Sequence, residues 1–260
     1  MKPKPYIGIT DFTNFEQVTK MLELFRKHKR SDSQRMLHVG VMTSFKCLNH
    51  IENRWSAVYL PNERLRHVFQ SEFFGEDIYY CLHYADYDHR TRSHDLKRVL
   101  EWVLPEIMAV QLDMPWPDPG IIASGIHTSP KNIEVILQIG QSALDAANND
   151  PREVVRRLED YRTVISRVLL DKSMGRGLGM DAAGLLPFVR AIRDKFPDLG
   201  LVVAGGLGPS TLNLVYPIVK EFPDISIDAQ GKLRPSGNAL DSIDWDMAKK
   251  YVIRALRILK

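Results

Sequence analysis

Short apolar runs alternate with amphipathic stretches along almost the whole chain, in one repeating order. Tyr6 to Thr10 is a strand-like run that stops at Asp11, and Phe15, Val18, Met21, Leu22 and Phe25 then recur at helical spacing. Thr13 and Glu16 form a capping pattern for that helix. Met36 to Met42 is the second run, ending at Thr43-Ser44, and a longer connection through Trp55 and Tyr59 leads to a helix opened by Pro61. Ile78 to Tyr84 is the third, with His83 and Asp86 at its end, followed by a helix from about Ser93 to Leu104. Ile107 to Leu112 stops at Asp113, before the breaker run Met114-Pro115-Trp116-Pro117-Asp118-Pro119.

The second half repeats the order. Ile133 to Ile139 is the fifth run, and Asp150-Pro151 with Glu153 starts a helix with an acidic cap and proline in its first turn. Val164 to Asp171 precedes a helix from Asp181 to Lys195, and Leu201 to Ala204 precedes one from about Ser210 to Glu221. Ile225 to Asp228 is the eighth run, and Asp244 to Leu259 closes the chain as an amphipathic helix. Strands this evenly apolar are covered on both faces. Right-handed crossovers then leave a closed barrel or an open doubly wound sheet, and polar residues after every strand favour the barrel. The expected fold is α/β, a single (β/α)8 TIM barrel of parallel strands in one domain over residues 1–260.

Composition narrows the function. With 260 residues, 44% hydrophobic and 26% charged, the chain has the makeup of an ordinary globular protein with a sizeable core. A net charge of +3 and scattered basic residues give no nucleic-acid footprint, and Arg26-Lys27-His28-Lys29-Arg30 closes a helix where cations suit the dipole. Two cysteines, Cys47 and Cys81, imply neither a disulfide framework nor a paired metal motif. The opening Met1-Lys2-Pro3-Lys4-Pro5 has no apolar signal region and no stretch is long enough to span a bilayer, so a cytoplasmic location is expected.

In such a barrel the active site lies at the C-terminal strand ends. Those ends carry Asp11, Ser44, His83 or Asp86, Gln111 or Asp113, Gln138, Asp171, Gly205-Gly206 and Asp228. An Asp after a strand is often a turn or cap residue. Asp171 stands apart because the glycine-rich Gly175-Arg176-Gly177-Leu178-Gly179 follows it and not an immediate helix. Gly205-Gly206 lets the backbone come close to a ligand, and Gly231 lies one strand later, which is the pattern of the recurrent phosphate site of these barrels.

These residues resemble phosphoribosylanthranilate isomerase in order along nearly the whole chain. Ile7-Gly8-Ile9-Thr10 is similar to that family's opening Lys-x-Cys-Gly-Ile-Thr, and Val110-Gln111-Leu112-Asp113 to its Val-Gln-Leu-His. Leu169-Leu170-Asp171 with Gly177-Leu178-Gly179 resembles Leu-Leu-Asp followed by Gly-Thr-Gly-Lys. Ala204-Gly205-Gly206-Leu207-Gly208-Pro209 resembles Ala-Gly-Gly-Leu-Asn-Pro, and Asp228-Ala229-Gln230-Gly231 sits where the family has Asp-Val-Ser-Ser-Gly. The resemblance implies a barrel, a phosphoribosyl ligand, no cofactor and an Amadori rearrangement in which an acid protonates the ring oxygen while a base takes the neighbouring carbon's proton. The family's acid maps to Asp171. Its base, a cysteine, maps to Ile7, which has no proton to exchange. The strand-four histidine is Asp113 here, the loop after strand two lacks Ser-Pro-Arg, and Lys172 to Met180 lacks Gly-Thr-Gly-Lys in register.

Asp11 shares a strand face with Ile7 and Ile9 but would lie roughly 13 Å along from Ile7, so Asp113, His83 and Cys81 also come into question as the base. The expected protein is a divergent isomerase of the aldose–ketose type, acting on a phosphorylated sugar or phosphoribosyl conjugate other than the anthranilate one. Asp171, Asp11 and Asp113 are its catalytic candidates. Gly205, Gly206, Asp228, Gln230, Gly231, Gln111 and His83 are its ligand-binding candidates, with no metal and no cofactor. Two other readings stay open: a phosphosugar epimerase or aldolase, for which His83, Asp86 and Asp113 invite a metal without forming a ligand motif, and a barrel that binds a phosphorylated metabolite without catalysis.

Overall fold

Each apolar run is a strand in the computed structural model, which describes residues 2–55, 59–69, 75–172, 179–238 and 240–259. The strands are β1 (Tyr6–Thr10), β2 (Met36–Ser44), β3 (Ile78–Ala85), β4 (Ala109–Asp113), β5 (Glu134–Gly140), β6 (Arg167–Asp171), β7 (Gly200–Ala204) and β8 (Ser226–Ala229). Each pairs in parallel with the next, and β8 pairs in parallel with β1 to close the barrel. The fold is α/β, a closed (β/α)8 barrel.

The helices are α1 (Phe15–His28), α2 (Phe45–Leu48), α3 (Asn62–Leu65), α4 (Ser93–Val103), α5 (Pro119–Gly125), α6 (Gln141–Ala146), α7 (Pro151–Leu158), α8 (Ala182–Lys195), α9 (Tyr216–Glu221) and α10 (Trp245–Ile258). The start of α1 corrects the expected cap by one residue. Asn14, not Thr13, is in extended backbone and accepts from Gln17 N–H at 3.0 Å, while Gln17 Oε1 accepts from Asn14 N–H at 3.3 Å. The helix expected from Ser210 divides into a 3-10 turn (Leu212–Val215) and α9, with Pro217 in the first turn of the latter. Among the described residues no helix is long and apolar enough to cross a membrane.

Strand alternation separates two apolar sets. Ile7, Ile9, Leu37, Val39, Val203 and Ile227 belong to the large cluster shared with the helices, outside the barrel wall. Tyr6, Met36, Tyr79, Cys81, Leu169 and Val202 form the second, inside it. Ile7, the position that maps to the catalytic cysteine of the resemblance, therefore packs against helices and away from the lumen. Tyr6, Gly8 and Thr10 are the inward residues of β1.

The barrel floor is polar as well as aromatic. Arg167 is buried, and its Nε donates to Glu134 at 2.9 Å and to Tyr79 Oη at 3.2 Å. Its guanidinium carbon lies 4.8 Å from the Tyr79 ring centroid and 5.4 Å from that of Tyr6. Such contacts between a desolvated cation and ring faces add to the ion pair. Room for the Arg167 stem comes from Gly200, where an added methyl group would lie 2.8 Å from Arg167 Cγ. Glu134 is one-third exposed, so losing Arg167 leaves it partly solvated while removing the bonds and ring contacts of the buried guanidinium. Arg167→Met is therefore expected to lower unfolding free energy by about 2 kcal/mol, read as a lower urea midpoint at unchanged slope.

Candidate active site

A cavity of about 370 Å³ opens at the C-terminal ends of the strands and is lined by residues from all eight of them or the loops that follow. Its size suits a small molecule. Thr10, His83, Gln111, Gln138, Asp171 and Asp228 reach it because they follow the inward parity of their strands. Asp113, the last residue of β4, joins them.

Two hydrogen-bonded groups occupy this ring. In the first, Tyr87 Oη donates to Asp113 Oδ2, and His83 Nε2 lies 3.4 Å from the same oxygen without a hydrogen bond among the described residues. Gln111 Nε2 faces His83 Nδ1 at 3.3 Å and donates to Gln138 Oε1 at 2.7 Å, leaving Gln111 Oε1 buried without a partner among the described residues. In the second, Asp228 Oδ2 accepts from Thr10 Oγ1 at 2.8 Å and Oδ1 from Ala229 N–H at 2.9 Å. Burial pushes the Asp228 carboxyl up to about 6; Thr10 and His83 oppose the shift and the charge of Asp171 adds to it. Burial, reinforced by the charge of Asp113, likewise keeps the phenols of Tyr59 and Tyr87 protonated.

The far rim is backbone. Gly205 and Gly206 line the cavity with φ of 93° and 71°, a left-handed pair that side-chain-bearing residues rarely adopt. Gln230, Gly231 and Lys232 line it from the loop after β8. A methyl group added at Gly231 would meet nothing within 4 Å, so the fold itself does not demand glycine there.

Most sequence-derived site residues thus share one cavity: Asp171, Asp113, Asp228, Gln111, His83, Gly205, Gly206, Gln230 and Gly231. Asp11 does not line it. The chain leaves β1 at this residue with φ of 105°, both Asp11 and Phe12 N–H donate to Gly40 O, and the carboxylate pairs with buried Arg234. Asp11 falls on the parity of Ile7 and Ile9, which face the helices and not the lumen. Burial raises the Asp11 carboxyl to about 6 against the pull of Arg234.

Asp86 also has another task. Its Oδ2 accepts from Arg90 N–H, Thr91 N–H and Thr91 Oγ1 at 2.6–2.8 Å, which shapes the turn before α4. The trio His83, Asp86 and Asp113 is accordingly no ligand cluster, and among the described residues no three His, Cys, Asp or Glu side chains are placed to hold a metal ion. Cys81 lies inside the barrel, where burial and the charge of Asp228 push its thiol far above the ordinary range. Of the glycine-rich segment after Asp171, residues 173–178 lie outside the described residues, as do residues 56–58 of the connection between Trp55 and Tyr59.

Sequence reasoning passed over Thr10, Tyr87, Arg54 and Lys232, all of which line the cavity. Thr10 was open to the parity argument once Tyr6 and Gly8 are set facing inward. Lys232 adjoins Gly231. Tyr87 sits past a strand end, where no periodicity signals orientation.

No family model matches the chain, and no curated protein matches it. Many solved chains do. One is a phosphonopyruvate hydrolase in complex with oxalate and Mg++, with a TM-score of 0.53, 13% identity, and coverage of 87% of this chain and 76% of that one. The class this defines is the (β/α)8 barrel, by fold alone. Membership of the phosphoribosylanthranilate isomerase family, expected from the motifs, finds no match in these comparisons.

The buried carboxylate sets a pH signature. Asp228 is raised from 3.8 to about 6, so the folded state holds more protons than the unfolded one between those values and loses stability as pH rises through them. Asp228→Asn is expected to raise stability at pH 8 by roughly 2 kcal/mol and to flatten the fall between pH 4 and pH 7. Thermal melts of both proteins across pH 4–8 check it, and a variant less stable at pH 8 would contradict the assignment.

Proposed function

We propose that the chain binds a phosphorylated sugar or sugar conjugate at the barrel mouth and isomerises it by acid–base chemistry. The carrying observation is that the left-handed Gly205-Gly206 pair and the buried carboxyl of Asp228, which burial pushes up to about 6, line one cavity. Backbone at such glycines can approach an anion within hydrogen-bond distance, and Lys232 adds positive charge on the same rim.

A carboxylate titrating near 6 is ionised at pH 7, yet basic enough to take a proton from a carbon beside a carbonyl and return it. Asp228 is the base in this reading. Asp171, which lines the same cavity, is the acid that protonates the ring or carbonyl oxygen, a role it fills in its protonated form. Asp113 with its donor Tyr87, and His83 at 3.4 Å from the same carboxylate, orient the sugar hydroxyls.

Two measurements test the two halves. Calorimetric titration with ribose 5-phosphate and with ribose is expected to show binding of the phosphate ester only, weakened about tenfold or more in Lys232→Ala and Gly206→Val. Equal binding of both sugars would remove the phosphate site. In D2O, phosphorylated aldoses are expected to acquire deuterium at the carbon beside the carbonyl, with Asp228→Asn slower by about 10²-fold or more. Phosphate-dependent binding without exchange on any aldose phosphate would leave a binding protein and not an isomerase.

A further inference from the structure

His38 stands in the barrel lumen below the mouth, fully buried, and neither of its ring nitrogens has a hydrogen-bond partner among the described residues. Strand register places it. Gly8 pairs with His38 on β2 and with Asp228 on β8, so the three lie abreast across the barrel seam, and the middle one has no side chain. The two flanking side chains lean into the gap. A methyl group added at Gly8 would lie 2.6 Å from Asp228 Oδ1 and 3.0 Å from His38 Nδ1.

The ring is held there. Tyr6 stacks on it with centroids 4.5 Å apart and planes 15° off parallel. On its other side, a methyl group at Gly40 would meet Thr10 Oγ1 at 2.6 Å and His38 Cε1 at 3.1 Å. A buried nitrogen without a partner is costly, and where polar atoms face each other across a gap the usual remedy is an ordered water.

We propose that one buried water lies over Gly8, hydrogen-bonded to His38 Nδ1 and Asp228 Oδ1, and that His38 is thereby the positioning residue for Asp228. The water donates one hydrogen to the neutral imidazole and the other to the carboxylate. With Thr10 Oγ1 and Ala229 N–H, Asp228 then accepts from three donors. Burial, with Arg167 and His83 nearby, holds the His38 pKa down at about 3, so the ring stays an acceptor across the working range. The other titratable groups around Asp228 are His83 and Cys81 from β3, Asp171 from β6, Tyr6 from β1 and Tyr251 from α10. The positioning role rests on Asp228 being the base; the water bridge does not.

Nuclear magnetic resonance of histidine nitrogens and aspartate carboxyl carbons, with no sugar or phosphate present, tests the bridge. The His38 nitrogens are expected to show the neutral pattern from pH 5 to pH 8 and to shift together with the Asp228 titration. In His38→Leu the Asp228 midpoint is expected to rise by roughly half a unit to one unit, because a donor to the carboxylate is lost. His38→Gln, which keeps an acceptor, is expected to stay within about 0.2 unit of the natural protein. His38 signals that ignore the Asp228 titration, or equal rises in the Leu and Gln variants, overturn the proposal. If His38→Leu does not fold, the natural protein's His38 signals and the Gln variant still decide. Loss of sugar-phosphate binding would leave this result standing, and the reverse holds too.

Discussion

The ion pair between Arg167 and Glu134 on the barrel floor supports a column of side chains that ends at the mouth. Arg167 lies over Gly200 and against the faces of Tyr6 and Tyr79. Tyr6 in turn carries the imidazole of His38, and His38 shares with Asp228 the space that Gly8 leaves empty. A barrel of eight strands encloses a fixed volume that must be filled by side chains from alternate positions. Here large polar residues fill it, and glycines on neighbouring strands make room. Each level depends on the one beneath, so the geometry around Asp228 is set from the opposite end of the molecule.

That column works against stability in the place where chemistry would use it. Ionising Asp228 inside the barrel carries a desolvation cost, which the hydrogen bonds from Thr10 and Ala229 reduce without removing. Proteins tolerate such groups where activity needs them and recover the loss elsewhere. The outer core, with Ile7, Ile9, Val39 and Val203 packed between strands and helices, is where this one recovers it.

The strands and their order were legible because a run covered on both faces has to be apolar, whatever its tertiary partners. The mouth was legible for the same reason: Asp113, Asp171 and Asp228 interrupt apolar runs at their C-terminal ends. Asp11 looked equivalent and is not, since it shares the outward parity of Ile7 and Ile9 and its carboxylate turns to Arg234. Ile7 shows the reverse case. A motif match aligned it with a catalytic position, while the alternation of Tyr6, Gly8 and Thr10 assigns it to the outer wall. His38 carried no signal at all, because a histidine within an apolar strand reads the same on either face. Only the register that sets it beside Gly8 and Asp228 distinguishes it.

Arg234 follows β8 and its short 3-10 turn. It is buried at the seam between β8 and β1, where it donates to Gln230 O at 2.9 Å and Asp241 O at 2.6 Å and pairs with Asp11. One side chain therefore ties both ends of the segment from Gln230 to Asp241 to the turn that leaves β1. Loops that must be ordered by a ligand subtract that entropy from its affinity. The stretch bearing Gln230, Gly231 and Lys232 is thus held by the fold itself, so a ligand bound on this rim, as proposed, would meet a rigid template that selects by shape.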